Sequence, residues 1–522
     1  MPANVIDNGI LETLAAIVGA GHLLTDEPDR RFYGTDVFRA GQLPVAVVLP
    51  GSIAELQDVV RVAARGAIPL TVRGGGASYT DGYTHASPGG ITIGTDRLTA
   101  IEIDEAKSVV TVEAGVTWER LYQALKERGL RTPFWGPFSG LAATVGGSVS
   151  QNAISHGGGV SADSVVTMEI VTGTGELLRT GSGGSATPSP FFRHYGPDLA
   201  GLFTGDCGAL GIKARITLKL VARREAFDAL SFSFPNFAAM HLAMAEIARL
   251  GVDDENFGLD AALQQGQIGR NDSVSAKADI ARTILKSSAS LGAGMKALAR
   301  MAVAGDRALK AADYAVHYLT DGVGDADARA KGDAIRAIAS RHGTEIANSI
   351  PTVVRAMPFA PLANMLGPKG ERWVPMHGLF AHDAAVPFHN ALDAFWDEQR
   401  AAMDRLGVYN GAMFMAVGPT GFVYEPAFYW PDARHVVHDR MMPADHLATL
   451  TDYAPAPETA AFVAMLRERI GELMSQHGAA HLQIGKTYPY LAGRNPASMA
   501  LLRAIKAELD PRNILNPGVL GL

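Results

Sequence analysis

The stretch that most restricts this chain is "IPLTVRGGGASYTDGYTHASPGG", residues 68–90. A strand-like run ends in three consecutive glycines, and the polar loop then continues into another strand, "GITIGT". Glycines in a row mark backbone that turns sharply or is approached closely. A glycine cluster after a strand can present several N–H groups to a diphosphate. A Rossmann site would need the loop to open a helix, and here it leads into more loop. A P-loop would need Lys-Ser or Lys-Thr after the glycines, and no lysine follows. Taken alone, the stretch reads equally well as an ordinary surface loop.

The surroundings alternate strand and helix signals. "VAVVLP" (45–50) reads as a strand. "SIAELQDVVRVAARG" reads as a helix with a serine cap and a glycine stop. "LTAIEID" and "SVVTVEAG" are further strands, and "TWERLYQALKERG" (117–129) is an amphipathic helix. Residues 136–220 are rich in glycine and carry two more strands. From about 225 the order becomes strand, helix, strand, then "RWVPMHGLF", a helix over 388–407, "GAMFMAVG" and "GFVYEPAFYW". That order predicts a ferredoxin-like sheet. In "MKALARMAVAGDRALKAADYAVHYL" (295–319), Leu298, Met301, Gly305, Leu309, Ala312, Val316 and Leu319 share one helical face. The pattern predicts a helix that packs on protein or, read as basic and amphipathic, lies on a membrane surface. The C-terminal block has a strand-like start at "HLQIGK", a helix over 497–509 and a tight "DPRNILNPG" end.

Bulk properties set the outer limits. A chain of 522 residues exceeds one ordinary core. Its net charge of -7 argues against a nucleic-acid partner. The single cysteine, Cys207, leaves no internal disulfide to form. Asp7 and Glu12 interrupt the N-terminal apolar run, so no signal peptide is expected, and no apolar run is long enough to span a bilayer. The expectation is a cytoplasmic protein, with membrane association only through the 295–319 helix.

Seven blocks occur in order: "ELQDVV", "RGGGAS", "VTVEAGVTWERLYQAL", "TVGGSVSQNAISHGGG", "SVVTMEIVTGTGELL", "DLAGLFTGDCGALGI" and "LDPRNILNPG". Each is weak alone. The ordered set resembles the vanillyl-alcohol oxidase/para-cresol methylhydroxylase flavoprotein superfamily, the FAD-linked oxidases. The resemblance implies an α+β protein with a two-subdomain FAD-binding domain of the PCMH type over 1–223 (about 40–222). A ferredoxin-like α+β cap domain over 224–455 would follow, with a helical insertion at about 270–350. Residues 456–522 would return to the FAD domain.

The resemblance assigns the FAD pyrophosphate to Gly74, Gly75, Gly76, Ala77 and Ser78. Thr144, Gly146, Gly147, Ser150 and Asn152 would run beside the pyrophosphate and flavin. Gly208, Gly211 and Ile212 would follow the adenosine, and His156 would face the flavin. One subgroup carries a flavin-bonding His where this chain has Ala77, so no attachment is expected there and FAD is expected to be non-covalent. Where metal-dependent 2-hydroxy-acid dehydrogenases place a metal-ligating His, this chain has Leu482, so no metal is expected. Lys486 would supply the cation near flavin N1, because reduced flavin is anionic there. Candidates to handle a proton or hold substrate are His377, Glu425, Tyr429, Lys486 and Tyr488, with Tyr490 and His481 as further neighbours.

The expected function is hydride transfer from an alcohol or benzylic carbon of a bulky aromatic or lipophilic small molecule, with O2 or another acceptor, in a homo-oligomer. The alternatives are a 2-hydroxy-acid dehydrogenase, an FAD-dependent lyase or transferase without net redox change, such as alkyl-glycerone-phosphate exchange, and a nucleotide binder without catalysis.

Overall fold

A computed structural model describes residues 8–156, 159–264 and 312–522. Three sheets of four or more strands organise them, beside a two-stranded pair of Leu130–Arg131 and Val221–Ala222. The first has four strands in the order Leu23–Leu24, Ala46–Val48, Ile91–Gly94 and Leu70–Arg73. Its last three strands run parallel. Parallel neighbours need a crossover, and the helix Ile53–Gly66 supplies it, capped by Ser52 accepting from the Glu55 N–H. Val59, Val60 and Ala63 of that helix bury against Ile91, Ile93 and Leu70. The C-terminal segment returns to this sheet: Leu70 N–H donates to Ile514 O at 2.7 Å, and Asn516 N–H to Leu70 O at 2.7 Å.

The second sheet is antiparallel, in the order Ile101–Asp104, Val109–Glu113, Ile212–Lys219, Val165–Val171 and Leu177–Arg179. Helices Trp118–Lys126 and Val145–Gln151 share its core, where Val110, Val112, Trp118, Val149 and Ile216 are packed together. The glycine-rich stretch "TVGGSVSQ" is therefore helical. Thr144 caps it by accepting from the Gly147 N–H.

The third sheet is the largest. Seven strands follow the order Thr344–Ile346, Ala226–Phe234, Tyr314–Gly322, Glu255–Asp260, Tyr409–Val417, Gly421–Trp430 and Arg372–Pro375, and Gly378–Phe380 pairs on Gly421–Trp430. Helices Phe237–Leu250, Asp325–Ala339, His382–Leu406 and Pro457–Gln476 cover one face. Along Gly421–Trp430, Phe422, Tyr424, Phe428 and Trp430 point into that core. The intervening residues point the other way, because successive strand residues alternate faces. That opposite face carries the candidate substrate side.

Two expectations are corrected. Residues 312–319 are not helical: Tyr314–Gly322 is a central strand, paired along its whole length with Ala226–Phe234 and over 314–319 with Glu255–Asp260. A strand buried on both faces reads as an unbroken apolar run, and such a run can mimic a helical stripe. The expected insertion is thereby shortened, since Tyr314–Gly322, Asp325–Ala339 and Thr344–Ile346 complete the βαββαβ order. Residues 295–311 of the expected membrane-facing helix lie outside the described residues. "HLQIGK" is not a strand either. Gln483 (φ 48°) and Gly485 (φ 55°) turn it into an irregular loop. Among the described residues no helix is long and apolar enough to cross a membrane.

Candidate functional site

The first glycine loop lies between the two smaller sheets, on the wall of a cleft lined by residues of both. Its polarity follows from what holds its carbonyls. Gly76 O accepts from Tyr83 Oη, Ser78 O from Val37 N–H, and Tyr79 O from Arg467 Nη2. Thr80 O accepts from Lys486 N–H, Asp81 O from Lys486 Nζ, and Gly82 O from Asn516 Nδ2. Apart from Gly76 O, held by Tyr83 within the loop, these oxygens are taken by donors from distant parts of the chain. The N–H groups of Gly75, Gly76, Ala77 and Ser78 donate to nothing among the described residues. A row of free amide donors is a cradle for an anion, because it offsets charge without titrating.

The space around the loop requires glycine. A Cβ on Gly75 would sit 1.6 Å from Ala142 O, and one on Gly74 2.4 Å from Thr144 Oγ1. The first loop is therefore pressed onto the segment that caps Val145–Gln151. Thr144, Gly146, Gly147 and Ser150 of that segment line the cleft, and Gly208, Gly211 and Ile212 line its other side. Gly211 packs closely on Ile170, where a Cβ would lie 2.3 Å from Cγ2.

Three expected cofactor residues are placed elsewhere. Asn152 has φ 48° and caps the helix end, and its Oδ1 accepts from Ala162 N–H at 3.3 Å. His156 is buried beneath Trp135, Phe138 and Phe359. Its Nδ1 meets Glu255 Oε2 at 2.7 Å and its Nε2 meets Pro358 O at 2.5 Å, so both nitrogens are occupied in joining the second sheet to the third. Lys486 spends all three ammonium protons on Asp81 O (3.0 Å), Thr84 O (2.9 Å) and Asn516 Oδ1 (3.0 Å). Burial pushes this ammonium down to about 8. It ties the C-terminal loop to the glycine loop rather than facing the cleft.

The cleft has further lining that the motifs did not announce. Lys213 contributes, paired with Asp206 in a buried ion pair. Cys207 contributes as well. Its Sγ donates to Gln151 Oε1 at 3.2 Å and accepts from Gly485 N–H at 3.3 Å. Tyr83 lines the cleft too, whereas Tyr79 turns toward the third sheet.

Gln483 joins the cleft to a second group of side chains, since it lines the cleft and its Nε2 donates to Tyr79 Oη at 3.4 Å. Tyr79 packs edge-on against Trp373 (5.7 Å) and His377 (6.2 Å). The His377 ring lies 5.5 Å from Tyr488, and His377 N–H donates to Tyr488 Oη at 2.9 Å. His481 stacks on Tyr488 at 4.0 Å. Both ring nitrogens of His377 are buried without partners, and burial pushes its pKa down to about 3, so the imidazole is neutral. Glu425 stands on the face of its strand opposite Tyr424 and Phe428, across from Met413 and close enough to act on the charges of Tyr79 and Tyr488. Burial pushes its carboxyl up to about 8. Beyond it lies an apolar strip of Phe257, Leu259, Met415, Val423 and Leu482. Tyr429, on the same strand face as Glu425, instead stacks on Tyr409 at 4.9 Å. Tyr490 packs against Cys207 and Val519, away from this group. Among the described residues no three His, Cys, Asp or Glu side chains gather as a metal site.

Comparison with known proteins agrees with this geometry. Residues 44–181 match the model of an FAD binding domain, and residues 295–520 match the C-terminal domain of FAD linked oxidases. A D-2-hydroxyglutarate dehydrogenase of Xanthomonas citri pv. viticola is 30% identical over 262 residues, 48% of this chain and 53% of that protein. The glycolate oxidase subunit GlcD of Bacillus subtilis is 28% identical over 248 residues, 47% of this chain and 51% of its own. The chain thus spans about half the length of the curated relatives it matches. Among solved structures, p-cresol methylhydroxylase with substrate bound superposes with TM-score 0.71 at 16% identity, over 99% of this chain and 96% of that one. An alkyldihydroxyacetonephosphate synthase gives 0.67 at 14%, over 99% and 87%. The fold is shared with p-cresol methylhydroxylase, and with both domain models matched in chain order the chain belongs to the FAD-linked oxidases, its cofactor FAD.

Proposed function

We propose that this protein takes a hydride from an alcohol or benzylic carbon of a bulky, apolar, aromatic substrate. The observation that carries the reading is the group of side chains gathered beyond Gln483. Tyr79, Trp373 and Tyr488 supply aromatic rings, Leu482 lies in the adjoining apolar strip, both ring nitrogens of His377 are unpartnered, and burial raises the Glu425 carboxyl. FAD supplies the hydride acceptor when bound. The aromatic rings orient a substrate ring by edge and face contacts. Neutral His377 can hold a substrate hydroxyl through either ring nitrogen. Glu425, with a pKa near neutrality, takes the hydroxyl proton as the C–H bond breaks.

A second reading, oxidation of a 2-hydroxy acid, is supported by the names of the curated relatives. It is also supported by Arg467, whose buried guanidinium sits under the Tyr79 carbonyl with Nε unpartnered. Anaerobic bleaching of the holoprotein separates the two. Aryl alcohols or alkylphenols are expected to bleach the flavin, and lactate, glycolate or 2-hydroxyglutarate are not. Bleaching by the hydroxy acids alone refutes the aromatic reading. Peroxide formed on re-aeration assigns O2 as acceptor. Because Ala77 offers no nucleophile, the flavin is proposed to be non-covalent, so acid precipitation is expected to leave it in the supernatant.

A further inference from the structure

We infer that Arg73 is the positioning cation of the FAD diphosphate, acting from behind the glycine loop. Arg73 ends the strand that feeds the loop and is 2% exposed. Its Nε and Nη2 have no hydrogen-bond partner, and it makes no ion pair among the described residues. Instead the guanidinium lies against three rings, 4.1 Å from Phe32, 4.8 Å from Tyr33 and 5.7 Å from Tyr83. A buried cation with orphaned donors is costly to a fold, because desolvation is met neither by a counter-charge nor by a full set of acceptors. The aromatic faces offset only part of that cost.

Its position explains why the cost is tolerated. Gly76 has φ +73°, and a Cβ there would lie 2.1 Å from Arg73 Nη2. The guanidinium therefore fills the space a side chain at 76 would take, directly behind the peptides whose N–H groups face the cleft. Tyr83 links the two by donating its hydroxyl to Gly76 O at 3.0 Å while its ring faces the guanidinium. The counter-charge missing from the protein is the one a diphosphate brings. Charge–charge attraction at this depth is screened less than at the surface. Arg73 thus adds a full positive charge behind a row of partial ones, and Gly76 is glycine partly to admit it.

The test separates this role from a merely structural one. Arg73→Met keeps the length and removes the charge, whereas Arg73→Lys keeps the charge. Apoprotein of each is titrated with FAD and with riboflavin, which lacks the diphosphate, and its melting temperature is measured. Arg73→Met is expected to weaken FAD about tenfold or more. Riboflavin binding should change little, and the apoprotein should melt no lower than native. Arg73→Lys should recover most of the FAD affinity. The FAD affinity of the native protein should also fall with added salt more steeply than that of Arg73→Met. Equal weakening of FAD and riboflavin, or an apoprotein melting well below native with both variants, overturns the inference. If Arg73→Met does not fold, Arg73→Lys decides: FAD binding as weak as in a Gly76→Ala protein, with riboflavin weakened equally, would assign Arg73 to packing alone.

Discussion

Glu425→Gln tests the chemistry and the physics of the side-chain group beyond Gln483 together. Burial moves the carboxyl from 4.5 to about 8. Between those values the unfolded chain has lost its proton and the folded chain has kept it, so the native state binds more protons. Stability must then fall as pH rises across that window, and the full cost is present above about 8. At about 1.4 kcal/mol per pH unit the shift corresponds to at most about 5 kcal/mol, trimmed where water reaches the partly accessible carboxyl. Glutamine has the same shape and no such titration. Urea unfolding of the apoprotein at about pH 5 and about pH 9 should therefore show native stability falling with pH and the variant falling less, with the variant the more stable at the alkaline end. In the holoprotein, kcat/KM for an alcohol substrate should rise as Glu425 ionises through about 8. The variant should lose that limb and about a hundredfold or more in rate. If the variant keeps both the limb and the pH dependence of unfolding, another group titrates and Glu425 is not the proton acceptor.

Gly75→Ala should abolish measurable FAD uptake while leaving a folded apoprotein, because its Cβ would fall 1.6 Å from Ala142 O and pry the two loops apart. Flavin fluorescence quenching on titration checks this, and native affinity would refute the close packing. Lys486→Met leaves three buried acceptors without their donor. At about 1 kcal/mol each it should cost about 3 kcal/mol, read from the urea midpoint. Flavin reduction in the fraction that still binds FAD should proceed at the native rate. A slowed reduction at unchanged stability would return Lys486 to the flavin.

What the sequence disclosed depended on whether a residue's role is local. Gly74 to Ser78 are legible because a strand, a sharp loop and small side chains are written contiguously, and the same holds for Thr144 as a cap and Gly211 beside a strand. Lys486 misleads because a lysine in a C-terminal loop carries no sign of which carbonyls it will meet. Its acceptors lie about the 81–84 turn and at Asn516. Lys213 and Gln483 were silent for the same reason. Residues 314–322 were misread because two-sided burial erases the period-2 signal that marks a strand. His156 sat in a motif next to cofactor residues, yet its partners Glu255 and Pro358 come from the cap side of the chain.

Beside the free amides, the carbonyls from Ser78 to Gly82 are all taken. Their donors are Val37, Arg467, Lys486 and Asn516, from segments that precede the loop or follow it by several hundred residues. The proposed diphosphate site, read from five consecutive residues, is thus held in place by residues from across the chain. Arg467 carries the coupling furthest, because the same guanidinium orients the Tyr79 peptide and lies over the Phe38 ring at 3.9 Å. Tyr79 in turn packs on Trp373 and His377, on the proposed substrate side. A change that loosens Arg467 should then disturb cofactor affinity and substrate fit together, whereas one at Glu425 should touch turnover alone. Measuring both constants on both variants distinguishes a site built as one unit from two sites that happen to adjoin.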